Sequence, residues 1–139
     1  MMDENCLFCK IIAGKIPCAK VYENDHVLAF LDIGPINKGH TLVVPKEHYK
    51  NLMETPDEVM KELIVVAKKL SRSIIKAVKA DGINLGISNE KAAGQVIFHT
   101  HIHLMPRYEN DGFKHWPQGK YNEGEMESVK NKIVSFLKD

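Results

Sequence analysis

The sequence predicts one α+β domain over residues 1–139: a meander of antiparallel strands with one long helix packed across it and short helices near both ends. Three observations carry this. Short β-branched or aromatic runs, separated by turn residues, fill the first third of the chain and return after Gly82. Between them, apolar residues recur at helical spacing from Val59 to Val78. Histidines alternate with other residues through Phe98-His99-Thr100-His101-Ile102-His103-Leu104, the period of a strand.

In chain order, Cys6 to Ile12 fits one or two helical turns, with Gly14 as terminator. Lys20–Glu23 and Val27–Asp32 read as strands joined by Asn24-Asp25, which has hairpin-turn chemistry. Gly34, Pro35, Asn37 and Gly39 mark a loop before a strand over His40–Pro45, and a connection containing His48 follows. Thr55-Pro56-Asp57-Glu58 predicts a helix start, with Thr55 as cap, Pro56 in the first helical position and Glu58 completing a capping box. Behind it, Val59, Leu63, Val66, Ala67, Leu70, Ile74 and Val78 make the apolar face of a helix ending near Asp81-Gly82. Ile83–Ser88 then predicts a strand, Asn89–Gly94 a turn, and Gln95–Met105 the histidine strand. A last helix is expected over Glu125–Leu137, with Met126, Val129, Ile133 and Phe136 on one side.

Composition excludes several functions. Nineteen Lys and Arg against eighteen Asp and Glu leave the chain near neutral, which argues against non-specific binding of nucleic acid or a membrane surface. No apolar run approaches the roughly 20 residues of a membrane helix. The start, Met1-Met2-Asp3-Glu4, is acidic where a signal peptide would be basic, so a cytoplasmic location is expected. Three cysteines, an odd count, argue against a disulfide framework. Cys6 and Cys9 form a C-x-x-C, which leaves metal binding or thiol redox chemistry open.

On a strand His99, His101 and His103 share one face, while Phe98, Thr100, Ile102 and Leu104 share the other. Three functional readings compete. The imidazoles can be plain solvent-facing polar residues. They can hold one metal ion, although the first and third Cα atoms of such a strand lie roughly 13 Å apart, while ligand nitrogens sit about 2 Å from zinc. Or they divide the labour, with His101 as a nucleophile toward phosphorus and His103 donating to the leaving group and steadying phosphoryl oxygens. Neutral imidazole, with a pKa of about 6.5, is largely available at neutral pH.

H-T-H-I-H-L-M resembles the histidine triad signature of the HIT superfamily of nucleotide hydrolases and transferases. The resemblance extends over C-L-F-C-K-I-I-A-G-K-I-P, V-L-A-F-L-D-I, G-H-T-L-V-V-P-K-E-H and A-G-Q-V-I-F-H-T-H-I-H. It points to small bacterial-type HIT proteins and to the histidine triad nucleotide-binding branch. Two positions depart from the family pattern: Thr100, usually hydrophobic, and Val96, where many relatives carry a phosphate-contacting serine.

The resemblance implies a HIT-like fold and assigns roles. His101 would take up the nucleotidyl group, held by the backbone carbonyl of His99, and His103 would contact the scissile oxygen. Asn89 and Gln95 match phosphate or leaving-group contacts, and Asp32 matches the acceptor of the ribose hydroxyls. Phe8, Ile11, Phe30 and Ile33 match the walls around the base, and His40 a supporting histidine. A structural zinc is implied at Cys6, Cys9, His48 and His99, with no catalytic metal. The implied enzyme cleaves purine nucleoside phosphoramidates or dinucleoside polyphosphates, releasing AMP or GMP, and works as a homodimer. Two other readings stay open here: a zinc-stabilised nucleotide-binding interaction protein with incidental turnover, and a zinc hydrolase that uses the triad as ligands.

Overall fold

The computed structural model describes residues 2–137. Five strands, β1 (Lys20–Glu23), β2 (Val27–Leu31), β3 (Thr41–Pro45), β4 (Gly82–Gly86) and β5 (Ile102–Arg107), form one sheet in the order β1-β2-β3-β5-β4. All four pairings are antiparallel. The fold is α+β, as expected. Its first three strands are a meander, and β5 then inserts between β3 and β4. Ile102 and Leu104 explain that choice: both are fully buried, so β5 takes an interior place, while glycine-flanked β4 takes the edge. Among the described residues no helix is long and apolar enough to cross a membrane.

Side-chain alternation gives the sheet two covered faces. Val27, Ala29, Val43, Ile102 and Leu104 point to helix α2 (Asp57–Val78) and meet its Leu63, Val66, Ala67, Leu70 and Ile74. Leu28, Phe30, Leu42 and Val44 point the other way, to Cys6, Phe8 and Cys9 at the short helix α1 (Leu7–Ile12). The triad lies on this second side.

Two expectations are corrected. The capping box does not form: Thr55 is buried and its hydroxyl donates to Asn51 O (2.7 Å) and meets Thr100 Oγ1 (2.7 Å). Pro56 occupies the cap position with no side-chain hydrogen bond, and the helix starts at Asp57. Helix α3 (Glu125–Phe136) forms as expected, and none of its residues is buried.

The second correction concerns the histidine segment. It is not a strand from Gln95; β5 begins only at Ile102. Pairing with β3 runs Thr41↔Leu104, Leu42↔His103, Val43↔Ile102 and stops. Further along β3 stands Pro45, which has no N–H to donate and whose carbonyl receives the His99 ring instead (2.8 Å). The amides of His99 and Thr100 turn to Ile97 O and Tyr49 O. The chain therefore peels away before the strand starts, carrying His99 and His101 off the ladder.

Candidate active site and metal centre

The peeled segment separates the three histidines into two environments. His99 points into a cluster with Cys6, Cys9 and His48, four donor atoms all within 4.8 Å of one another. Cys6 Sγ and Cys9 Sγ lie 3.4 and 3.6 Å from His99 Nδ1, Cys9 Sγ lies 3.4 Å from His48 Nδ1, and the two Nδ1 atoms are 3.2 Å apart. A tetrahedral zinc with Zn–S of about 2.3 Å and Zn–N of about 2.0–2.1 Å has S···N edges of about 3.5 Å and N···N edges of about 3.3 Å. The residues fit the ion. The His99 Nε2–H donates to Pro45 O, which leaves Nδ1 as a lone pair facing the cluster and orients the ring from behind. Asp3 Oδ2 stands 3.8 Å from His48 Nε2 on the outer side. Four protein donors fill a tetrahedron, so the set suits a structural ion.

His101 faces the opposite task. Its Nδ1–H donates to the His99 carbonyl at 2.7 Å, so Nε2 carries the free lone pair. No buried side-chain nitrogen or oxygen among the described residues lacks a partner, and Nε2 makes no hydrogen bond, so it reaches the surface. Phe8 from α1 presses its ring against His101, centroids 5.0 Å apart at 90°, and packs on Phe30 at 5.5 Å. His103 follows on β5, its ring 4.8 Å from that of His101. Its Nδ1 lies 2.9 Å from His40 Nε2.

Burial keeps these rings neutral. Loss of water around the charged form pushes His40, His99, His101 and His103 below the usual histidine value, His99 and His103 to about 4. Neighbouring imidazoles push His103 the same way, and Asp32 pulls it weakly back. A neutral imidazole with an open Nε2 is a nucleophile.

Of the other expected residues, Asp32 sits at the end of β2 beside the histidines: Oδ1 accepts from Gly34 N (2.8 Å) and Oδ2 lies 3.7 Å from His40 Nε2. Phe8 and Phe30 are buried together and Ile11 packs beside them, whereas Ile33 is fully exposed. Gln95 is buried, and its amide is engaged by the backbone: Nε2 donates to Lys50 O and Ile97 O, and Oε1 accepts from Glu90 N. Asn89 Oδ1 accepts from Leu52 N. Both brace the loop that leads into the triad. Val96 is 80% exposed beside that loop.

Sequence reasoning passed over three participants: Asp3 behind His48, the Pro45 carbonyl behind His99, and Glu90. Glu90 has φ 74 and ψ 161, a conformation that favours glycine, yet its carboxylate accepts from Asn51 Nδ2 (2.6 Å) and pairs with Lys50 (3.3 Å). No local pattern announces any of them, because each acts through a partner distant in sequence.

An antiparallel sheet carrying a neutral, backbone-oriented imidazole beside a Cys2His2 cluster is the frame of a histidine-based site. The family model of the HIT domain matches residues 13–110, and the chain belongs to the HIT family. It is 48% identical over 110 residues to the adenylylsulfatase HINT3 of Arabidopsis thaliana, spanning 79% of this chain and 56% of that protein. A crystal structure of a HIT family member from Bacillus subtilis superposes with TM-score 0.90 at 44% identity, covering 98% of this chain and 99% of the other. A zinc-bound histidine triad family protein from Mycobacterium smegmatis matches with TM-score 0.76 at 34% identity, covering 94% and 96%.

Proposed function

We propose that this chain is a nucleotide-binding hydrolase that passes a nucleoside monophosphate through His101. The observation that carries the reading is the His101 Nδ1–H donated to the His99 carbonyl, which turns an unprotonated Nε2 outward. In this reading Nε2 attacks the α-phosphorus, the bond from phosphorus to the leaving nitrogen or oxygen breaks, and the leaving group departs with the bonding pair. The imidazolium formed on His101 keeps its Nδ1–H on the carbonyl. Water then attacks phosphorus, releasing AMP or GMP and restoring neutral His101, and the leaving group takes any proton it needs from solvent. Asp32 receives the ribose hydroxyls through Oδ2, and Phe8, Phe30 and Ile11 line the base.

The substrates proposed are purine nucleoside phosphoramidates and dinucleoside polyphosphates. Adenylyl sulfate joins them because the relative named above is an adenylylsulfatase. All three offer an adenylyl phosphorus with a departing group. Cys6, Cys9, His48 and His99 hold a structural zinc that ties α1 to the approach to the triad, and the match to a zinc-bound relative supports this. The working form is a homodimer, an implication of the family that sedimentation checks.

The test is AMP release from adenosine 5′-phosphoramidate, diadenosine triphosphate and adenylyl sulfate by wild type and His101→Ala. Turnover by wild type, lost at least a hundredfold in the variant while nucleotide binding persists, is expected. A folded wild type that binds AMP but turns over none of the three would make this a binding protein.

A further inference from the structure

We infer that His40 is a positioning residue that holds His103 in one neutral tautomer, with its proton on Nε2 facing the substrate side. The argument starts at the Ile36 amide, which donates to His40 Nδ1 at 3.1 Å. A nitrogen that accepts cannot carry the proton, so a neutral His40 carries it on Nε2. That Nε2–H has two acceptors in range: His103 Nδ1 at 2.9 Å and Asp32 Oδ2 at 3.7 Å. Only the first is at hydrogen-bonding distance. His103 Nδ1 is then the acceptor, and its proton sits on Nε2.

The same lock bears on a second grouping. Asp32, His40 and His103 bring three potential metal ligands within 4.8 Å of one another. To ligate through Nε2, His40 would have to move its proton to Nδ1, against the Ile36 N–H. The backbone therefore disfavours a metal here and favours the His40–His103 hydrogen bond. His40 is 3% exposed, so its end of the bond is shielded from solvent.

The consequence rests on the proposed function. A neutral imidazole cannot give up its Nε2 proton without becoming an anion, so His103 donates a hydrogen bond and does not transfer a proton. It stabilises charge growing on the bridging atom as the bond to phosphorus breaks. Its value rises with the basicity of the leaving group.

The experiment has two arms on the full chain. In the first, imidazole 15N chemical shifts report the tautomers directly. Wild-type His103 is expected as the Nε2–H form, kept in His40→Gln, whose amide offers both an acceptor and a donor. In His40→Leu, which offers Nδ1 no donor, the preference for the Nε2–H form is expected to fall. Wild-type His103 observed as the Nδ1–H form overturns the inference, whatever the variants do. In the second arm, AMP release is compared for a basic alkylamine leaving group and a weakly basic nitrophenolate. His40→Leu is expected to lose at least tenfold more on the amine than on the nitrophenolate, with His40→Gln restoring most of the difference. Equal loss on both would make His40 merely structural. Absence of wild-type turnover on either substrate would sink the proposed function, while the 15N spectra would still decide the tautomer.

Discussion

Seven histidines share one intrinsic chemistry, and those at this site differ in which neighbouring group each ring touches. Pro45 O takes the proton of His99, the His99 carbonyl takes that of His101, and the Ile36 amide dictates that of His40. Each contact selects a tautomer, and each tautomer selects a task. Burial adds a pH signature. A histidine whose folded value is depressed favours the neutral form, so the unfolded chain binds the proton more readily. Stability from His103 is then full above the unfolded value of 6.5 and is lost as pH falls toward about 4. The thermal midpoint is expected to drop across that window, and a His103→Gln variant to drop less steeply over the same range. Parallel pH profiles for the two proteins would refute this.

At the scale of elements, helix α2 follows from its own sequence: its buried residues are Leu63, Val66, Ala67, Leu70 and Ile74, all on the expected stripe. Its end is less well adapted. Lys79 closes the helix in the left-handed region at φ 54 and ψ 45, with its N–H on Ile75 O. Glycine adopts that conformation without a Cβ clash, so Lys79→Gly is expected to raise stability by about 0.5–1 kcal/mol in denaturant melts. A lower midpoint would show that the lysine side chain contributes more than its backbone costs. Helix α3 makes the opposite point. Its stripe of Met126, Val129, Ile133 and Phe136 forms as the periodicity requires, yet amphipathicity only says that a face wants cover, not where cover is found.

At the scale of the molecule, the Cys2His2 cluster ties together segments far apart in the chain. Cys6 and His99 are 93 residues apart and Cys9 and His48 are 39 apart. An ion bound only by the folded chain stabilises it by mass action, about 4 kcal/mol at a thousandfold excess over Kd. For a domain of this size that corresponds to a midpoint shift on the order of 10 °C. A strong chelator is therefore expected to lower the melting midpoint by that order in wild type and to leave Cys9→Ser unmoved. Loss of activity on chelation with no change in midpoint would instead assign the ion to the chemistry.

By itself the sequence determined the α+β class, the long helix with its buried stripe and the strand cores. These depend on periodicity and residue type, which are local. Only the tertiary structure decided that β5 lies between β3 and β4. It also decided that Thr55 bonds Thr100 and does not cap its helix, and that the histidine run leaves the ladder at Pro45. Strand periodicity predicted one face for three imidazoles. Packing instead placed His99 against Cys6, Cys9 and His48, and His103 against His40. Those outcomes turn on partners up to 93 residues away, and no local pattern records which distant carbonyl or amide a ring will meet.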